Sequence, residues 1–124
     1  MSQPEFSWAD SSQPILVNLD RLQEITLGQV ELQRELLDSF IEVMRVNLET
    51  IKHAMDVNDC LTVSRCAHQM KGAAANIGVP SIKAIATELE HQAQQQNLVG
   101  AAELLVVLEN QRSQVQALIL DQLP

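Results

Sequence analysis

The sequence predicts an all-α fold: an antiparallel, up-down four-helix bundle with a short additional N-terminal helix across one end. Apolar residues recur at steps of three and four through four long segments, the period of helices that each bury one face. Glycine and proline number only four each in 124 residues, too few for a turn-rich β architecture. The aromatics are Phe6, Trp8 and Phe40, with no Tyr, so Leu, Ile, Val, Met and Ala must fill the core. The length is that of one domain, and the apolar share of 46% is ordinary for a globular chain.

Residues 1–14 are polar and aperiodic, rich in Ser, Gln and Pro. They read as a flexible N-terminal tail or linker, and residues 15–124 as the bundle domain. A short helix follows the tail: Asn18 is a good N-cap, Leu19, Leu22 and Ile25 are spaced helically, and Gly28 ends it. A long helix is expected from Val30 to Val57, with Leu32, Leu36, Phe40, Val43, Met44, Leu48, Ile51 and Met55 inward. Asn58 and Asp59 end it and can cap the next helix. That helix runs from Cys60 to Ile77 and stops at Gly78, and Pro80 suits the first turn of another. The fourth is expected over Pro80–Gln96, with Ile82, Ile85, Ala86 and Leu89 inward. After Asn97 the last runs to Gln122, with Leu98, Ala101, Leu105, Leu108, Val115 and Ile119 inward. Arg112 interrupts that stripe, by snorkelling at the bundle end or by marking a bend. The short connections make neighbouring helices antiparallel.

The formal net charge is -8. Nucleic-acid binding is disfavoured, because neutralising phosphates takes many Lys and Arg; the same holds for anionic membrane surfaces. No apolar run approaches the roughly 20 residues of a membrane-spanning helix, and no basic stretch followed by an apolar one marks a secretory signal. A cytoplasmic location without direct membrane contact is expected. Cys60 and Cys66 stand six apart, about 9 Å along a helix axis at ~1.5 Å per residue. That is too far for a disulfide and is not a zinc spacing. They read as small hydrophobes in a reducing compartment.

The chemistry is concentrated on the third helix. At about 100° per residue, Val63, Cys66, Ala67, Met70, Ala73, Ala74 and Ile77 share one face. His68 points nearly opposite Met70, into water. On its side lie Leu61, Ser64, Arg65, Lys71, Gly72 and Ala75, with Gln69 adjoining. Ser64, Gly72 and Ala75 are too small to shade the ring. Glycine inside a helix costs about 1 kcal/mol against Ala, so Gly72 at i+4 needs a reason, and an unobstructed imidazole supplies one. Lys71 at i+3 and Arg65 at i−3 can reach an anion on the ring. Leu61 is odd on a wet face and fits an apolar contact with a partner. No carboxylate stands at i±3 or i±4, so the imidazole is read as acting without a buried partner: a weak catalyst but an adequate acceptor of a phosphoryl group delivered by another protein.

A surface His beside a surface Lys is ordinarily just solvated. The fuller pattern His68-x-x-Lys71-Gly72-x5-Gly78 is not ordinary: from residue frequencies it arises beside a given His roughly once in a few thousand cases. His53, with Asp56 at i+3, and His91, with Gln94 at i+3, lack it and read as solvated surface.

At Ala67-His68-x-x-Lys71-Gly72, Ala73-Ala74-Ala75-Asn76-Ile77-Gly78 and the Leu89-Glu90 pair of the next helix, the chain resembles the histidine-containing phosphotransfer (HPt) domains of bacterial two-component multistep phosphorelays. The resemblance spans about residues 15 to 122. It implies that His68 is the phosphoacceptor through Nε2, that Lys71 stabilises the phosphoryl group by charge, that Gly72 keeps the site open, and that Gly78 closes the helix. It also implies partners: response-regulator receiver domains and a hybrid sensor histidine kinase. The Mg²⁺ of the reaction would belong to the receiver, so the chain itself needs no metal or other cofactor. A monomer is the expected state. With no G-x-x-x-x-G-K-[ST] motif and no room for a nucleotide-binding domain, the chain reads as a phosphocarrier and not as an enzyme.

Two other classes compete. A helical adaptor, or degenerate HPt domain, would bind a receiver or kinase partner without being phosphorylated, but has no reason to hold His68, Lys71 and Gly72 together. A metal-binding bundle needs two inward Glu-x-x-His motifs. Only Glu88 to His91 has that spacing, and His91 projects away from the Leu89 face.

Overall fold

The computed structural model describes residues 17–122. The predicted tail over residues 1–14, with Phe6 and Trp8, lies outside the described residues. Five helices follow in order: α1 (Leu19–Thr26), α2 (Val30–Asp56), α3 (Cys60–Ile77), α4 (Pro80–Gln94) and α5 (Ala101–Gln122). Helices α2 to α5 close into a four-membered ring in which each packs on the next and α5 returns to α2. Connections of a few residues reverse the chain each time, giving the up-down bundle.

The short helix α1 is fastened across the end where α3 stops. The Asn18 side chain caps α1 by accepting from the Arg21 backbone N–H at 3.0 Å. The Asn18 N–H donates to the Gly78 carbonyl at 2.7 Å, and Arg21 Nε donates to the Asn76 carbonyl at 3.2 Å. Carbonyls that the end of α3 would leave unpaired are thereby satisfied. Gly78 is fixed twice over. Its φ is +86°, and a Cβ there would stand 2.9 Å from Asn18 Cβ. Sequence reading saw only the helix stop; the close approach of α1 is the second reason.

The core runs the length of the bundle, with Leu37, Met44, Ile51, Met70, Ile82, Ile85, Leu89 and Leu108 fully enclosed. Three expectations need correction. First, α2 is rotated from its predicted stripe: Leu37 is completely buried, whereas Leu32, Leu36, Val43 and Met55 are only half-buried. Polar residues occupy core positions there because they bring their own bonds. Gln33 donates to Thr26 Oγ1 at 3.2 Å and Asn47 to the Val43 carbonyl at 2.8 Å. Secondly, α4 stops at Gln94 and α5 starts at Ala101, later than Asn97 suggests. Gln96 takes a left-handed φ of 58°, and Leu98 packs on the core from the connection. Thirdly, α5 also buries Leu104, Val107 and Gln111, the last accepting from Ser81 Oγ at 2.9 Å. Arg112 is neither at a bend nor at the bundle end; α5 is continuous, and Arg112 lines a surface groove between α2 and α5.

Candidate phosphoacceptor site

The seam between α3 and α4 is the most extensive in the bundle, and the site is built across it. Asp59 starts α3 by accepting from the Thr62 N–H at 3.1 Å and from Thr62 Oγ1 at 2.6 Å. Those bonds hold its carboxyl below the usual range. Val63, Cys66, Ala67, Met70, Ala74 and Ile77 then lock the rotation of α3 by burial. Ala73, predicted with them, is half-buried at the edge. His68 is left facing out, its side chain 66% exposed. The predicted orientation holds.

The structure corrects the environment of the ring. His68 has a buried partner: its Nδ1 is 2.9 Å from Oε2 of Glu90 on α4. The other oxygen, Oε1, accepts from Lys71 Nζ at 2.6 Å. Helical spacing could not reveal this pair, because Glu90 is 22 residues from His68 and meets it only through packing. A weaker signal was available. Glu90 sits beside Leu89 on an otherwise apolar face, with Ala86 and Ala93 at i−4 and i+3. Both alanines are small and buried, so α4 can approach α3 closely enough for a carboxylate to bridge the seam.

The protonation pattern follows from the inventory of donors. Burial pushes the Glu90 carboxyl up, but the bonds from Lys71 and His68 outweigh it and hold the group below its usual 4.5. Glu90 is therefore ionised at neutral pH and can only accept. Nδ1 must carry the proton, and a neutral ring then presents its lone pair at Nε2, toward solvent.

Above the ring the site is open. A Cβ on Gly72 would meet nothing within 4 Å, so no described residue of this chain requires a glycine there. Ala75, Gln69 and Arg65 are exposed, Ser64 is half-buried, and Leu61 is 61% exposed. Arg65 makes no hydrogen bond or ion pair to the His68 cluster among the described residues; its charge acts on Asp59. Two shallow grooves flank this face. One is lined by Cys60, Leu61, Ser64, Ala93 and Gln94. The other, between α2 and α3, is lined by Leu36, Phe40, Val43, Ala73 and Asn76. Both cysteines are free, Cys60 half-buried and Cys66 buried, and burial raises the Cys66 thiol. Among the described residues no cluster of His, Cys, Asp or Glu could hold a metal, and no helix is long and apolar enough to cross a membrane. His53 and His91 are both exposed.

The model of the Hpt domain family matches residues 35–118, about two thirds of the chain. The chain belongs to the Hpt domain family. It is thus a histidine phosphotransfer protein, of a family whose members act as phosphocarriers. Its HPt bundle superposes on the crystal structure of histidine-containing phosphotransfer protein B from Pseudomonas aeruginosa PAO1 with a TM-score of 0.78, covering 86% of this chain and 92% of that one. At 23% identity this likeness is one of fold. No curated protein gives a significant match.

Proposed function

We propose that this HPt protein relays a phosphoryl group between the aspartates of response-regulator receiver domains by way of a phosphohistidine at His68. One observation carries the reading. On an HPt bundle, a solvent-facing imidazole has its Nδ1 held by an ionised carboxylate, which leaves Nε2 as the free nucleophilic atom.

Nε2 attacks the phosphorus of an aspartyl phosphate in the docked receiver. The Nε2–P bond forms, the P–O bond breaks, and its electron pair stays on the aspartate carboxylate. Transfer onward is the reverse step against a second receiver. Phosphoryl transfer depends mainly on alignment and on charge stabilisation, and the partner supplies most of both, including the Mg²⁺. This chain supplies Nε2, the Lys71 ammonium and the clearance over Gly72. Leu61, Ser64, Arg65, Gln69 and Ala75 form the surrounding contact surface, with Leu61 as its apolar anchor. A hybrid sensor histidine kinase stands upstream. The chain acts as a monomer in the cytoplasm, where such kinases draw on ATP.

The test mixes the protein with a phosphorylated receiver and Mg²⁺ and follows intact mass, with His68→Gln in parallel. The expected result is an added, acid-labile phosphoryl group that the variant does not acquire. Binding without transfer across several receivers would replace this reading with the adaptor.

A further inference from the structure

On the side of the ring opposite the α3–α4 seam, α2 and α5 part to leave a groove. They pack on each other less extensively than α2 does on α3. One stretch, lined by Arg45, Leu48, Glu49, Lys52, Glu109 and Arg112, is a hollow of about 110 Å³. It continues into a larger one of about 280 Å³ over Met55, Ala102, Leu105 and Val106. Lys52 and Glu109 line both and meet across the helices at 2.7 Å. The first hollow is far below the roughly 300 Å³ at which small-molecule sites begin; it admits a side chain.

The charges of the groove are matched except one. Glu49 lies 3.8 Å from Arg45, and Glu109 2.7 Å from Lys52. Arg45 also binds Glu42 through two bonds, at 3.0 and 2.6 Å. Arg112 is left over: among the described residues it makes no hydrogen bond or ion pair. It is half-buried, where a charge without a partner is costly. It also stands between Leu108 and Val115, both buried, on a row of α5 where the period calls for another apolar residue.

We propose that the α2–α5 groove docks an acidic amphipathic helix of a partner protein, with a Glu or Asp on Arg112 and apolar side chains against Met55, Leu105 and Val106. Charge complementarity sets the acid, and the groove between two antiparallel helices sets the shape, because it accepts the ridge of a third. Arg112 and Leu105 are two turns apart on α5, about 10 Å at ~1.5 Å per residue. The occupant therefore carries its acid and its apolar anchor seven positions apart. Val106, 60% exposed, is the apolar rim. The net charge of -8 repels an acidic helix at long range, but that repulsion is screened beyond about 8 Å at physiological ionic strength. Because His68 faces out from the other side of the ring, a docked helix leaves it free. One partner can hold the chain while another exchanges phosphoryl groups with it.

The test selects helical peptides from a randomised display library on the full wild-type chain and maps each winner by ¹⁵N–¹H NMR. Winners should carry Glu or Asp with an apolar residue seven positions away, and should shift the amides of Leu48, Lys52, Leu105 and Arg112. Arg112→Glu should weaken them at least about 10-fold, and replacing the winner's acid by Lys should restore binding to that variant. Val106→Glu, on the exposed rim, should weaken the same peptides and decides the matter if Arg112→Glu does not fold. No winners, winners without an acidic consensus, or winners that shift α3 and α4 instead overturn the proposal. So does a wild-type dimer in sedimentation that Val106→Glu dissolves, because a second copy would then fill the groove. Binding is read independently of transfer, so failure of His68 to accept a phosphoryl group would overturn only the phosphocarrier reading.

Discussion

His68 and Gly72 make opposite predictions about stability and transfer. His68 is exposed, and Glu90 keeps Lys71 when the ring is removed, so His68→Gln is expected to change unfolding free energy by no more than roughly 0.5 kcal/mol while abolishing phosphorylation; thermal melts and intact mass check both. Gly72 has open space where its side chain would be. Gly72→Ala should therefore stabilise the helix, by up to about 1 kcal/mol, and Gly72→Gln should fold well yet transfer slowly because it obstructs the partner. A Gly72→Gln protein that transfers at the wild-type rate would remove the reason given for the glycine. Glu90 adds a pH dependence. Its carboxyl is depressed below 4.5 in the folded state, so the stability it contributes is complete above that value and is lost as pH falls through the lower folded one. The melting difference between wild type and Glu90→Gln should narrow as acid is taken through that window. His68, Lys71 and Gly72 were legible as a set because they lie on one helical face within five positions. The contact of Glu90 with His68 and Lys71 was not, because only tertiary packing brings it to them.

The helices themselves were largely readable from their ends. Asn18, Asp59, Gly78 and Pro80 are residues whose side chain or backbone chemistry starts or stops a helix, and each stands where the structure begins or ends one. Faces were harder. Leu37 was missed in α2 because Leu32, Leu36 and Phe40 make an equally good row, and only the ring of neighbours decides which row is buried. Gln33, Asn47 and Gln111 lie inside because hydrogen bonds to Thr26, the Val43 carbonyl and Ser81 satisfy them, information that hydrophobicity does not contain. Gly78→Ala is predicted to cost more than about 1 kcal/mol. It forces a side chain into a left-handed backbone and against Asn18, and equilibrium denaturation would register the loss. A neutral result would mean that α1 is not docked on the end of α3 as described.

At the scale of the molecule, one ring of four helices does two things. It buries a continuous apolar interior, and it sets α3 and α4 close enough for a carboxylate of one to bind an imidazole and an ammonium of the other. The chain as a whole is acidic, with a net charge of -8, and the proposed transfer brings its anion to the Lys71 ammonium beside His68. The sequence reads residues 1–14 as a tail or linker outside the bundle domain. A chain lacking them is expected to melt and to accept phosphate as the full chain does, which calorimetry and mass measurement can establish. The most direct test of the central claim is NMR of the protein after phosphorylation by a receiver, with ³¹P–¹⁵N correlation to locate the bond. The account predicts a single phosphoryl group on Nε2 of His68. A phosphoryl group on Nδ1, or on His53 or His91, or none at all, would contradict it.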